Sequence, residues 1–193
     1  MTKIAYATAT SLDGFLADPD NSLEWLFAVE GGDDAQDELG GFVDGVGVLV
    51  MGSTTYEWVV RHESLLAHPE KWREFYGDRP TYVFTSRGDV VRIPGADIRF
   101  VSGAVANNIE EILAAAGEKD VWMMGGGDLA AQFAAAGHLD EIQVSVAPVM
   151  LGGGAPLFTG EFLSDRLELV DAHQTGQFAQ LTYRVVGAPL RTR

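Results

Sequence analysis

Short apolar runs, broken by glycine, proline and polar clusters, divide the chain into alternating strand and helix patterns. Lys3 to Thr10 is rich in β-branched and small apolar residues and runs into Ser11-Leu12-Asp13-Gly14, which predicts a first strand closed by an Asp-Gly turn. Val46 to Met51 is apolar almost throughout, the pattern of a strand covered on both faces. Pro80 to Thr85 and Asp97 to Val101 predict two more strands around a turn-rich Arg87 to Gly95, and Val121 to Met124 predicts another buried one. Helical patterns lie between them. Asp33 to Val43 carries Asp33 and Asp34 in its first turn, where carboxylates suit the helix dipole. Gly52-Ser53-Thr54-Thr55 opens a second helix with Ser and Thr as natural caps. Asn107 to Ala116 places Ile109, Ile112 and Leu113 on one face, and Asp128 to Ala136 follows three glycines.

From Glu141 to Val186 the pattern is strands alone: Glu141 to Ala147, Arg166 to Thr175 and Phe178 to Val186, the last two joined at Gly176-Gln177. Alternating strand and helix followed by a terminal hairpin predicts a three-layer α/β fold. Its sheet is mixed but mainly parallel, with helices on both faces and an antiparallel C-terminal hairpin. No repeat, linker or low-complexity stretch interrupts residues 1–193, and one domain is the expectation.

The longest apolar run is far short of the roughly 18–20 residues of a membrane helix. The start, MTKIAYATATSLDG, lacks the basic and apolar regions of a signal peptide, so a cytoplasmic protein away from membranes is expected. The absence of cysteine removes disulfides, thiolate nucleophiles and thiolate metal sites. Hydrophobic residues make up 47% and charged residues 21%, a globular balance. The formal charge of −15, from 28 acidic and 13 basic residues, argues against nucleic acid as a partner. A phosphate-bearing ligand would have to be held by backbone N–H groups and a few arginines against that field.

Two strand–turn–helix junctions offer such a hold. Val50-Met51-Gly52-Ser53-Thr54-Thr55-Tyr56 delivers a glycine and three hydroxyl residues to a helix start, and Met124-Gly125-Gly126-Gly127-Asp128-Leu129 delivers three glycines to another. Each is equally well read as a capped turn; together they suit a dinucleotide. Gly125 to Ala130 also satisfies G-x-G-x-x-G/A, yet it lies far from the first strand with too little βαβ sequence after it for a Rossmann fold.

The ordered series Ser11-Leu12-Asp13-Gly14, Met51-Gly52-Ser53-Thr54-Thr55-Tyr56-Glu57, Thr85-Ser86-Arg87, Met124-Gly125-Gly126-Gly127 and Pro148-Val149-Met150-Leu151-Gly152-Gly153-Gly154 resembles the dihydrofolate-reductase-like superfamily. It is most similar to lone-domain relatives of the riboflavin-biosynthesis reductase domain, from Lys3 to Val186. That resemblance implies a sheet of about eight strands and an NADPH-dependent reductase, with NADH as a possible cofactor. By similarity, Gly52, Ser53, Thr54 and Thr55 would meet the pyrophosphate and 2′-phosphate side. Thr85, Ser86 and Arg87 would flank the adenosine. Met124, Gly125, Gly126, Gly127, Asp128 and Leu129 would hold the pyrophosphate and pass the nicotinamide, whose pocket Ala9, Leu16 and Ala17 would line. The resemblance also implies a homodimer paired through its sheets, to which the apolar run Ile142 to Val149 is suited.

Two departures shape the expected chemistry. Family members usually carry arginine or lysine where Ser53 stands, leaving Arg87 to pair a 2′-phosphate. The riboflavin-pathway enzymes typically carry lysine where Phe15 stands, and Arg61, Lys71, Arg73 and Arg79 are scattered. A small, neutral or weakly charged heterocyclic or carbonyl substrate is therefore expected over a sugar phosphate. The alternatives are 5-amino-6-(5-phosphoribosylamino)uracil reduction, dihydrofolate reduction and a cofactor-binding module without turnover. Folate reductases keep a carboxylate on the first helix; of Asp33, Asp34, Asp37 and Glu38, Asp37 falls nearest in spacing, one residue out of register. Asp13 needs only its turn as explanation. Trp25 and Phe27 could stack on a planar substrate or anchor a loop. His62, His68, His138 and His173 show no metal spacing, and no G-x-S-x-G supplies a hydrolase nucleophile.

Overall fold

A computed structural model describes residues 2–187, with the side chains of residues 33–38 outside that description. The strands are β1 (Ile4–Ser11), β2 (Phe15–Ala17), β3 (Val46–Gly52), β4 (Thr81–Phe84), β5 (Ile98–Val101), β6 (Asp120–Gly125), β7 (Glu141–Ala147), β8 (Ala155–Pro156), β9 (Leu167–Thr175) and β10 (Phe178–Val185). The helices are α1 (Glu24–Phe27), α2 (Gly32–Asp44), α3 (Ser53–His62), α4 (Glu70–Tyr76), α5 (Ile109–Ala116) and α6 (Gly127–Ala135). Eight strands form one sheet in the order β5-β4-β3-β6-β1-β7-β10-β9. β5 through β7 run parallel, and β10 is antiparallel to both β7 and β9. The predicted mixed sheet and terminal hairpin are thus present.

Strand alternation divides the core into two layers. Ile4, Tyr6, Val48 and Val50 point to the side covered by α5 and α6, against Ile112, Ala130 and Phe133. Ala7, Leu49 and Met51 point to the side of α3 and α4, against Tyr56, Val59 and Trp72. The apolar run of β3 therefore feeds both layers, as a doubly covered strand must.

Several local expectations are corrected. No Ser or Thr hydroxyl caps α3; its cap is Gly52, without a side-chain hydrogen bond. The helix expected from Asn107 begins at Ile109, after a 3₁₀ turn over Val105–Asn107. α1, α4, β2 and β8 were not predicted. Each spans seven residues or fewer, too short to show a period, and α4 buries Trp72 alone.

β2 and β8 form a small second sheet that fastens the first turn to the glycine loop after β7. The Asp13 carboxylate is the clasp. It accepts hydrogen bonds from the Ser11 hydroxyl at 2.6 Å, from the Gly152 N–H at 2.7 Å and from the Leu151 N–H at 3.1 Å. Leu12 N–H adds a bond to the Val149 carbonyl at 2.7 Å. The Ser11 hydroxyl, followed by the Gly152 and Leu151 N–H groups, pulls the Asp13 carboxyl down to about 2 from an ordinary 3.8. A carboxyl depressed in the folded state stabilises fully above its unfolded pKa and loses that contribution as pH falls through the folded one. Thermal unfolding of wild type and Asp13→Asn should therefore differ by a constant margin in Tm above about pH 5, wild type being higher. The margin should shrink from about pH 4 toward pH 2. A margin independent of pH would show that the clasp does not depend on ionised Asp13.

Candidate functional site

On the α3 side, a cleft of about 950 Å³ opens where the sheet turns from its parallel to its antiparallel half. Its floor is made by alternate residues of β1, Ala7 and Ala9, with Trp122 and Met124 of β6. Alanine at these positions leaves room that a larger residue would fill. Trp122 is locked in place, its indole N–H donating to the Ala7 carbonyl at 2.9 Å and its ring meeting Phe42 edge-on at 5.8 Å.

One wall is a face of α3. Thr55, Trp58, Val59 and His62 recur at i, i+3, i+4 and i+7, so all reach the cleft. Phe27 of α1 covers them from above: Phe27 and His62 stack at 5.0 Å, and Trp58 and His62 at 4.5 Å. The opposite wall is polar. Gln143 and Ser145 of β7 pair in register with Thr182 and Gln180 of β10, and all four line the cleft. The Ser145 hydroxyl donates to Gln180 Oε1 at 2.6 Å, and Gln143 Nε2 donates to Glu141 Oε1 at 2.6 Å. The titratable lining groups described are His62, Glu63 and Tyr76, whose phenol burial pushes up to about 12. A second, shallower hollow of about 480 Å³, around Arg79 and Lys119, lies at the amino ends of β3 and β4. The Arg79 guanidinium there is spent on the carbonyls of Val43, Val46 and Tyr76.

Beside the cleft, the carboxyl ends of β3 and β6 stand next to each other, with Met51 paired to Gly125. α3 and α6 start there, capped by Gly52 and Gly126, and neither start has a side-chain cap. Their first N–H groups are thus left to an outside acceptor. The three glycines of the second junction serve different needs. A Cβ on Gly125 would stand 2.9 Å from the Thr55 hydroxyl; Gly127 packs against the Pro156 and Leu157 carbonyls; Gly126 holds φ +98°. Gly52 has an ordinary φ of −81°, and a Cβ there would meet nothing within 4 Å. The α3 start is therefore open at Gly52.

The sequence-predicted residues fall into three groups. Ala9, Thr55 and Met124 line the cleft. Gly52, Ser53 and Thr54, then Thr85, Ser86 and Arg87, then Gly125, Gly126, Gly127, Asp128 and Leu129 follow the carboxyl ends of the neighbouring strands β3, β4 and β6. Leu16 and Ala17 sit in β2 and do not line the cleft; Ala17 lies against Gly154. The Asp37 side chain, like those of Asp33, Asp34 and Glu38, lies outside the described residues. Arg87 is engaged by Glu57 at 2.6 Å, which raises its pKa further, and Asp128 accepts from Gln132 at 2.7 Å. Of the two aromatic candidates, Phe27 lines the cleft and Trp25 does not; the buried Trp25 indole N–H has no partner among the described residues. Sequence reading missed Trp58, His62, Gln143, Ser145, Gln180 and Thr182. The heptad-like spacing on α3 and the period-two polar positions of β7 and β10 were the available signals, but each also fits an ordinary solvent face. Among the described residues no group of His, Asp and Glu is arranged to hold a metal, and no helix is long and apolar enough to cross a membrane.

A mainly parallel eight-stranded sheet with an antiparallel edge, and two glycine-led helix starts side by side at its carboxyl end, is the dihydrofolate-reductase-like architecture. More narrowly, the chain belongs to the RibD C-terminal domain family, which it matches over residues 2–181. It is 31% identical over 176 residues to the uncharacterized protein YwjB of Bacillus subtilis (strain 168), covering 91% of this chain and 93% of that one. A putative riboflavin biosynthesis protein from Shewanella sp. PV-4 superposes with a TM-score of 0.76 at 25% identity, over 97% of this chain and all of that one (100%). The Thermotoga maritima diaminohydroxyphosphoribosylaminopyrimidine deaminase/5-amino-6-(5-phosphoribosylamino)uracil reductase shares the fold at TM-score 0.69 and 15% identity, over 96% of this chain and 57% of that one.

The glycine assignments predict a contrast in stability. Gly126→Ala should cost about 1–3 kcal/mol, because it forces a side chain into a positive-φ conformation. Gly52→Ala should stay within about 0.5 kcal/mol of wild type. Urea unfolding of both variants measures the difference.

Proposed function

We propose that this chain is an NAD(P)H-dependent reductase that delivers hydride to a small heterocyclic or carbonyl substrate. The observation that supports it most is the pair of uncapped helix starts beside an alanine-floored cleft. The strands β4, β3, β6 and β1 are consecutive in the sheet, so Thr85, Gly52, Gly125 and Ala9 mark a path about 14 Å long at the usual strand spacing. A dinucleotide laid along it would set adenosine near Thr85 to Arg87, phosphates over the N–H groups after Gly52 and Gly126, and nicotinamide over Ala9. When bound, NAD(P)H supplies the hydride. The chain contributes orientation, a cleft with apolar rings on one side, and His62 and Glu63 as groups able to hold a proton.

Cofactor preference follows from the charges at the adenosine end. Ser53 brings no cation, and Arg87 is already paired with Glu57. A 2′-phosphate must share that arginine with a carboxylate, so NADPH should bind no more than about tenfold tighter than NADH, a gap of about 1.4 kcal/mol. Calorimetric titration should show Glu57→Gln widening this preference severalfold and Arg87→Ala erasing it with NADH affinity nearly unchanged. Asp37→Asn should lower turnover less than tenfold. Failure of both cofactors to bind would overturn the reductase reading and favour a different ligand for the two helix starts.

We further propose that the protein is a homodimer. Tyr183 of β10 and Leu169 of β9 pair in register on the face opposite the polar wall, and Leu169 is 54% exposed. A second copy offering the same pair would cover it. Light scattering should give twice the 20.8 kDa chain mass, and Leu169→Glu should shift it toward the single-chain value. A wild type of single-chain mass would refute the dimer.

A further inference from the structure

Five apolar side chains that line the cleft are absorbed by neither core. Leu23, Leu26, Phe27 and Val29 come from α1 and its flanks, Leu39 from α2, and none of them belongs to either core cluster. α1 buries none of its residues, and Phe27 and Leu39 remain 56% and 38% exposed. Trp58 and Val59 of α3 extend the same apolar lining. Apolar surface that folding leaves gathered in one place marks a binding site. Ceiling and floor enclose about 950 Å³, within the roughly 300–1,000 Å³ of small-molecule sites, so the guest is a small molecule held between them.

Charge narrows the guest further. Among the described lining residues there is no lysine or arginine, while Glu63 is present. Nearby cations are committed: Lys71 to Glu63 at 3.9 Å, Arg184 to Glu168 at 2.9 Å and Lys3 to Glu141 at 3.3 Å. Burial keeps the Tyr76 phenol protonated, pushed up to about 12. The wall of Gln143, Ser145, Gln180 and Thr182 is polar but uncharged. An anionic guest would bring its charge out of water with no counter-ion to meet it. A neutral polar head against that wall and an apolar body under the ceiling leave neither surface unmatched.

We infer that the substrate is a neutral carbonyl compound with an apolar body, held under Leu26 and Phe27, and that the cleft discriminates against anions of the same length. This rests on the reductase reading and narrows it, choosing an apolar carbonyl over a polar heterocycle. Leu26 and Phe27 are then specificity-determining residues. They select by the size of the apolar body and take no part in the nucleotide path.

The test uses the full-length protein, with and without NADP⁺, and displacement of the neutral fluorescent probe N-phenyl-1-naphthylamine by 2-hexanone, 2-octanone, octanoate and uracil. Each buried methylene is worth about 0.8 kcal/mol, about fourfold in affinity, so 2-octanone should bind at least tenfold more tightly than 2-hexanone. Octanoate, of equal length but charged, should bind at least tenfold more weakly than 2-octanone. Leu26→Asn combined with Phe27→Ser should weaken 2-octanone at least tenfold. NADP⁺ affinity should stay within twofold of wild type and Tm within about 3 °C, since neither residue belongs to a core. Octanoate binding as tightly as 2-octanone, uracil binding more tightly than 2-octanone, or a double variant that binds 2-octanone as wild type does overturns the inference. So does a wild type that binds no ketone and a double variant that falls to single-chain mass in light scattering, which assigns the ceiling to a second copy. If NADP⁺ binds and no ketone does, the inference falls and the reductase reading stands. If the ketones bind with this dependence on length and charge while neither NADP⁺ nor NADPH binds, the reductase reading falls and the apolar cleft stands.

Discussion

The lack of side-chain bulk on one face of β1 is the constraint around which the molecule is arranged. β1 is paired in parallel with β6 on one side and with β7 on the other, so it lies at the junction of the sheet's two halves. Its Ile4 and Tyr6 fill the α6-side core, whereas Ala7 and Ala9 face the cleft. Larger residues at those two positions would close the space over the junction. The helices of that side cover β3, β4 and β6 and stop there, so the polar face of β7 and β10 becomes a wall instead of a buried layer. A sheet whose connectivity changes at this point leaves a crevice, and small residues keep it open.

Much of this arrangement is legible in the sequence, and the physical reason differs from part to part. β3 and β6 announce themselves because a doubly covered strand has to be apolar at every position, and the glycines after them mark the helix starts. The terminal hairpin is legible because Gly176-Gln177 separates two strand-patterned segments. α4, β2 and β8 are held by tertiary contacts, such as the Asp13 clasp across 138 residues, that leave no local period. The site divides in the same way. Its backbone part, the glycine-led turns, is local and can be read. The side-chain part, Trp58 with His62 against Gln143 with Gln180, is assembled from three distant segments, and period-two polarity in a strand does not reveal whether water or a ligand lies over it.

Electrostatics follow a similar local rule. A chain of charge −15 holds no general attraction for phosphate, yet backbone N–H groups at two adjacent helix starts provide one that no surface carboxylate can neutralise from a distance. The Arg87–Glu57 pair shows the opposite case, in which a side-chain cation is balanced where it stands. A phosphate-bearing ligand at these helix starts would thus be met by main-chain dipoles rather than by an unpaired side-chain cation.

The roof of the cleft, residues 18–31, is fastened at its two ends rather than along its length. At one end the backbone at Ala17 and Asp18 lies so close to Gly154 that a Cβ on Gly154 would stand 2.9 Å from the Asp18 carbonyl carbon. At the other, Gly31 lies so close to Gly176 of the β9–β10 turn that a Cβ on Gly176 would stand 2.8 Å from the Gly31 carbonyl oxygen. α1, between them, buries none of its residues. The height of the cleft is therefore set by two backbone moorings, whereas Leu23, Leu26, Phe27 and Val29 merely furnish its ceiling. Residues of this span belong to neither core cluster, so the ceiling of the cleft can change while the sheet beneath it stays as it is.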